Sequence, residues 1–185
     1  MCEEVGVLYV FGFERTGVAI GDLYLVDPEP EPGQEGAERG VRVEVRLLEQ
    51  GAPPGSIYSA RPVAVTQPVW RADLLESVEG PPGSFDRTHH HPAFTGWEPG
   101  RRVYVTEMSD DPLGWLGACL ADLDGLLASA GFPAGAAAPG DAESLRAAAP
   151  EIVAVTGRLL EKVRSGELGN PPGDESPDVV RAGWL

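Results

Sequence analysis

All three histidines of this 185-residue chain stand side by side, in Asp86-Arg87-Thr88-His89-His90-His91-Pro92. Imidazole is the commonest metal ligand and the one side chain whose ordinary pKa lies near neutrality. In an extended segment alternate side chains share a face, so His89 and His91 point together about 7 Å apart along the strand while His90 points away. Two imidazoles so placed can converge on one divalent ion, Zn²⁺ or Fe²⁺, provided a further protein ligand joins them. Asp86, Glu98 and Glu107 are the nearest carboxylates in sequence, and folding could bring Asp73 or Glu76 instead. The ligand set offered by the local sequence is therefore His89, His91, Asp86 and Glu98, with an open position for water or substrate. A plainer reading stands beside it: a polar loop or edge strand, with one imidazole hydrogen-bonded to Asp86 or to a backbone carbonyl.

Phe85, Phe94 and Trp97 gather around the histidines, with Trp70 and Trp115 placed to face them across the fold. Such side chains wall small-molecule pockets, and they also simply fill cores. No phosphate-binding glycine loop, Cys-x-x-Cys pair or nucleophile elbow is present. The acidic stretch from Glu29 to Glu38 lacks the ligand order of an EF-hand and reads as a solvated loop.

The elements that must position the histidines follow from periodicity. Val5 to Phe13 is nearly all apolar, as a central strand buried on both faces would be, and Val18 to Val26 continues as a second strand. Three prolines keep 27–36 out of any ladder. In Val41 to Leu47, valines and leucine alternate with Arg42, Glu44 and Arg46, which predicts one face in the core and one in water. Val63 to Val65 and Val69 to Leu75 read as strands, with Pro62 and Pro68 marking an edge or a bulge. Arg101 to Thr106 is the last. The period then changes to 3.6: Asp111 caps a helix whose Leu113, Leu116, Leu120, Leu123 and Leu127 recur until Gly131. Asp141 caps an alanine-rich turn ending before Pro150, and Ile152 to Ser165 forms a further helix. Strands first and helices last predict an α+β fold: a mainly antiparallel sheet of five or six strands in residues 5–106, with two or three C-terminal helices on one face. The single domain spans 1–166, and 167–185 is a Pro/Gly-rich flexible tail ending in an apolar Trp184-Leu185 hook.

Fourteen cations against 29 carboxylates give a formal net charge of −15. That field repels phosphate backbones and anionic headgroups, which argues against nucleic-acid and membrane partners. The two cysteines, Cys2 and Cys119, make no disulfide framework, and no apolar run is long enough to span a bilayer. A cytoplasmic location is expected.

Gly83, His89 and His91 resemble the opening of the first cupin motif, although the glutamate and the fourth histidine of that family have no counterpart here. More broadly, 39–49, Phe85-Asp86-Arg87-Thr88-His89-His90-His91-Pro92-Ala93-Phe94 and Asp111-Pro112-Leu113-Gly114-Trp115-Leu116 resemble an uncharacterised family of high-GC bacterial proteins, a domain of unknown function. That resemblance implies a grouping and no activity. The expectation is a small binding or accessory protein that uses the His89 to Trp97 region. The alternative is a metal-dependent hydrolase or oxygenase built on His89 and His91.

Overall fold

The computed structural model describes residues 6–171 and 181–182. Its main sheet runs in the order β1 (Leu8–Gly12), β2 (Thr16–Val26), β3 (Ala37–Gln50), β4 (Val63–Ser77), β5 (His89–His91), every pair antiparallel. A separate two-stranded sheet is made by β6 (Phe94–Thr95) and β7 (Glu98–Pro99). Helices follow: α1 (Thr106–Asp110), α2 (Pro112–Leu120), α3 (Leu123–Ser129) and α4 (Asp141–Arg164), and β8 (Arg181–Ala182) pairs with β2. This is an α+β fold, as the order of periodicities predicts.

Residues directly opposite one another in adjacent strands share a face. Val43 pairs with Ile20 and Ala72, and Val45 with Val18 and Trp70, so the alternating valines of β3 point to the helices. There they meet Leu116, Leu120, Leu127, Ile152 and Val155 in one apolar cluster. The other face departs from expectation. Arg42, Glu44 and Arg46 do not meet water: Glu44 is completely buried and the arginine side chains retain only 12–13% exposure. Opposite Arg42 and Glu44, β2 supplies Gly21, which has no side chain, and Ala19, which has only a methyl, and these leave room for the long charged groups.

Several local expectations are corrected. β1 is an edge strand, with Leu8, Tyr9 and Val10 all more than 40% exposed, where its apolar composition suggested the centre of a sheet. Residues 63–77 form one strand, not two. Pro68 is accommodated opposite Arg46 where the register with β3 shifts, since a bulge removes the need for the missing N–H. Arg101 to Thr106 contributes only one bridge, between Val103 and His90. The leucine-rich helix is broken in two, because Asp122 leaves the helix and caps α3 by accepting from Gly125 N–H. Conversely, α4 runs straight through Pro150, and its buried stripe from Leu145 to Val163 outweighs the lost backbone bond. Asp141 caps no helix with its side chain. Its carboxylate accepts instead from the backbone N–H groups of Glu14, Arg15 and Ala138 and from the Thr16 hydroxyl, which ties α4 to the β1–β2 turn. Most of the expected tail, including Trp184 and Leu185, lies outside the described residues. Its beginning is packed: Leu168 is buried and Gly169 donates to Asp22.

Both faces of the sheet therefore bear on stability. Leu120→Ala should cost about 2–5 kcal/mol through lost burial and the cavity left behind. Arg42→Ala should cost about 3–5 kcal/mol, because it strands a buried carboxylate. Urea denaturation of the two variants checks this, and an Arg42→Ala midpoint equal to wild type would refute the buried charged face.

Candidate metal centre

The register of three strands builds the centre. On the face away from the helices, Arg42, Asp73 and His89 form one row across β3, β4 and β5, and Glu44, Arg71 and His91 form the next. One rung beyond, Thr88 substitutes its side chain for a ladder bond: its hydroxyl accepts from Leu75 N–H (3.1 Å) and donates to Leu75 carbonyl (2.9 Å). That exchange ties down the start of a strand only three residues long.

Asp73, His89 and His91 come together as a buried cluster in which one potential ligand atom from each lies within 4.8 Å of the others. Both rings have a fixed orientation. His89 Nδ1 lies 2.8 Å from the Arg87 carbonyl, and His91 Nδ1 lies 2.8 Å from the Gly100 carbonyl. A carbonyl can only accept, so both Nδ1 atoms carry the proton. In the neutral rings each Nε2 then presents a lone pair, and these face Asp73 Oδ2 at 3.5 Å and 3.8 Å. The rings stand edge to face with centroids 5.1 Å apart.

The protonation states follow from surroundings. Burial pushes His91 down to about 4, against the opposing pull of Asp73. Burial also lowers His89, again opposed by Asp73. Burial would raise Asp73, but the charge and hydrogen bonds of Arg42 overcome it and hold the carboxyl well below the usual carboxylate range. Arg42 grips both oxygens, Nε to Oδ1 at 2.7 Å and Nη2 to Oδ2 at 3.1 Å. Near pH 7 the centre thus holds an anionic carboxylate and two imidazole lone pairs pointed at one another with no proton between them. Such a set could hold a cation. Two nitrogen or oxygen ligands on a tetrahedral ion stand about 3.3 Å apart, given bonds of about 2.0–2.1 Å. The two separations from Asp73 Oδ2, 3.5 Å and 3.8 Å, need contract by only a few tenths of an ångström.

Around this core, Glu44 is clamped between Arg46 (2.5 Å) and Arg71 (2.6 Å), and Tyr104 lies beside the His89 ring with centroids 5.6 Å apart. On the same face Glu38 is buried, and both its oxygens lack a hydrogen-bond partner among the described residues. Burial raises its pKa to about 7, although Arg102 and Arg87 pull downward; Asp27 and Asp73 push further up.

The remaining residues singled out in the sequence lie elsewhere. Asp86 is on the turn before β5, where it accepts from Ser77 N–H, the Ser77 hydroxyl and the Ser84 hydroxyl. Glu98 is exposed on β7. His90 points to the helix side, its ring 5.1 Å from Trp115 and 6.3 Å from Trp70. Phe85 packs under the Arg164 guanidinium, while Phe94 and Trp97 lie under Arg71 and Arg46. These aromatics line neither of two described clefts, one of about 620 Å³ bordered by Glu14, Arg15, Gln50 and Arg61, the other of about 260 Å³ bordered by Glu35, Ser77 and Arg87. Asp73 was legible only as one of several carboxylates that folding could deliver. Its signal is the alternation of Arg71 and Asp73 with Trp70, Ala72 and Leu74, complementary to the Arg42-x-Glu44 alternation of β3.

No family model, curated protein or solved structure matches the chain. Its chemistry alone carries a functional reading.

Glu38 and the histidines impose opposite pH dependences. The folded state holds the Glu38 proton up to about pH 7 while the unfolded chain releases it near the ordinary 4.5, so this residue's penalty grows as pH rises between those values. His91 acts the other way: the unfolded chain takes up its proton near 6.5 and the folded one resists until about 4, so stability falls with acidification across that window. Glu38→Gln should therefore be more stable than wild type by about 1–2 kcal/mol at pH 8, the gap closing toward pH 5. Thermal melts at both values measure it, and a gap that widens in acid would contradict this account of Glu38.

Proposed function

We propose that the protein binds one divalent transition-metal ion, Zn²⁺ or Fe²⁺, through Nε2 of His89, Nε2 of His91 and a carboxylate oxygen of Asp73. One observation carries the reading: both imidazoles donate through Nδ1 to backbone carbonyls, which leaves both Nε2 lone pairs aimed at the same buried carboxylate. Metal-bound histidines characteristically donate their second nitrogen in this way, which fixes the tautomer and strengthens the ligand. Arg42 occupies one side of Asp73 Oδ2 and leaves a second lone pair for the ion. Its positive charge opposes the ion, so the affinity should be lower than that of an unpaired carboxylate with the same two histidines. Nitrogen and oxygen donors without a thiolate suit Zn²⁺ and Fe²⁺.

The burial of all three ligands favours retention of an ion over turnover of a substrate, so we read the protein as a metal-binding or accessory protein. Its −15 net charge supports a partner that is neither nucleic acid nor an anionic membrane surface. Among the described residues, no helix is long and apolar enough to cross a membrane.

Untagged protein stripped of metal and titrated with Zn²⁺ by calorimetry should bind one equivalent. At a free concentration of 100 times Kd, the ion should add about 2.7 kcal/mol of stability. For a chain of this size that corresponds to a rise in Tm of roughly 5–10 °C. His89→Ala, His91→Ala and Asp73→Asn should abolish binding. His90→Ala, on the opposite face, should retain it. Binding that survives His91→Ala, or is lost only with His90→Ala, would overturn the assignment.

A further inference from the structure

The segment from Ala93 to Gly100 carries β6 and β7 and forms a small closed loop. Gly100 N–H donates to Ala93 carbonyl at its base (2.9 Å), and Gly96 turns the tip at φ 63°. The two strands pair with each other and not with the main sheet. Two arginine–aromatic contacts hold the loop over the charged face: Arg71 lies 5.0 Å from the Phe94 ring centroid and Arg46 lies 5.6 Å from that of Trp97. Trp97 is 62% exposed, so the second contact is wet and weak. Residues 95–100 are exposed, whereas His91 is buried with the Phe94 ring 6.4 Å from its own.

The base of the loop is also part of the centre. The Gly100 carbonyl accepts from His91 Nδ1–H, so the residue that closes the loop also fixes the ring that aims Nε2 at Asp73. Lifting the loop would uncover His91 and release its orientation together.

We propose that Ala93–Gly100 is the gate through which a divalent ion enters and leaves the Asp73, His89 and His91 centre, and that ion capture and gate closure favour each other. The proposal rests on the metal-binding reading above. An ion on His91 Nε2 makes Nδ1–H a stronger donor, which tightens its bond to Gly100. By reciprocity a closed loop must then bind the ion more tightly.

Zn²⁺ is the probe. Amide hydrogen exchange of the full chain, with and without one equivalent of Zn²⁺, reads the loop through Gly100 N–H, and transfer of bound Zn²⁺ to a chelator reads the gate rate. Protection of Gly100 should rise at least about fivefold with Zn²⁺. Phe94→Ala and Trp97→Ala should each speed release by about two- to fivefold, as expected for loss of one weak contact. Tyr58→Ala, on the exposed loop between β3 and β4, should release at the wild-type rate. If Zn²⁺ binds but Gly100 protection and the release rates of both aromatic variants stay at wild-type values, the gate is refuted while the metal centre stands. If stripped protein binds no Zn²⁺, the metal reading fails and the gate with it.

Discussion

Arg42 grips Asp73 at two points, and the candidate metal centre depends on that buried ion pair. A lone carboxylate in this setting would take up a proton to escape burial and would cease to be an anionic ligand. With Arg42 in place Asp73 stays ionised, and the two histidines, lowered by their own burial, stay neutral. Both conditions are required of a centre that attracts a cation at neutral pH. In the proposed metal complex the same pair would moderate affinity, because the ion would share the carboxylate with a guanidinium.

The pair sits within a broader arrangement of charge. Arg42 faces Asp73, and Arg46 and Arg71 flank Glu44, so the buried charges of this face are neutralised in place by hydrogen-bonded partners. Such pairs add little net stability compared with apolar packing, but removing one partner is costly. The face is thereby committed to its register. A one-residue slip of β4 against β3 would turn Arg71 and Asp73 into the apolar layer against the helices and leave Arg42 and Glu44 without their partners. Glu38 is the exception on this face, a buried carboxyl with no hydrogen-bond partner among the described residues.

What could be read from the chain alone follows from the range of each interaction. The two-residue period of a strand is local, so the separation of His90 from His89 and His91 was visible in the sequence, as were the core-facing valines of β3 and the leucine stripe of the helices. The third member of the centre was not, because Asp73 joins the histidines only through pairing of β4 with β5. Likewise, Arg42, Glu44 and Arg46 look like a water-facing row until β4 delivers Arg71 and Asp73 opposite them. Proline and caps misled in both directions: α4 continues through Pro150 on the strength of tertiary packing, while Asp122 breaks a helix that the leucine spacing alone would extend. The apolar β1 lies at an edge, since composition does not reveal which neighbours a strand lacks.

The central claim is that His89 and His91 are neutral imidazoles protonated on Nδ1, with both Nε2 atoms free to take an ion. Long-range ¹H–¹⁵N correlation spectra of the imidazoles at neutral pH test it most directly. The account predicts the Nδ1–H tautomer for both residues, and displacement of their Nε2 resonances by one equivalent of Zn²⁺ with His90 left essentially unchanged. Nε2-protonated or imidazolium rings at these two positions, or Nε2 resonances that do not respond to the ion, would contradict it.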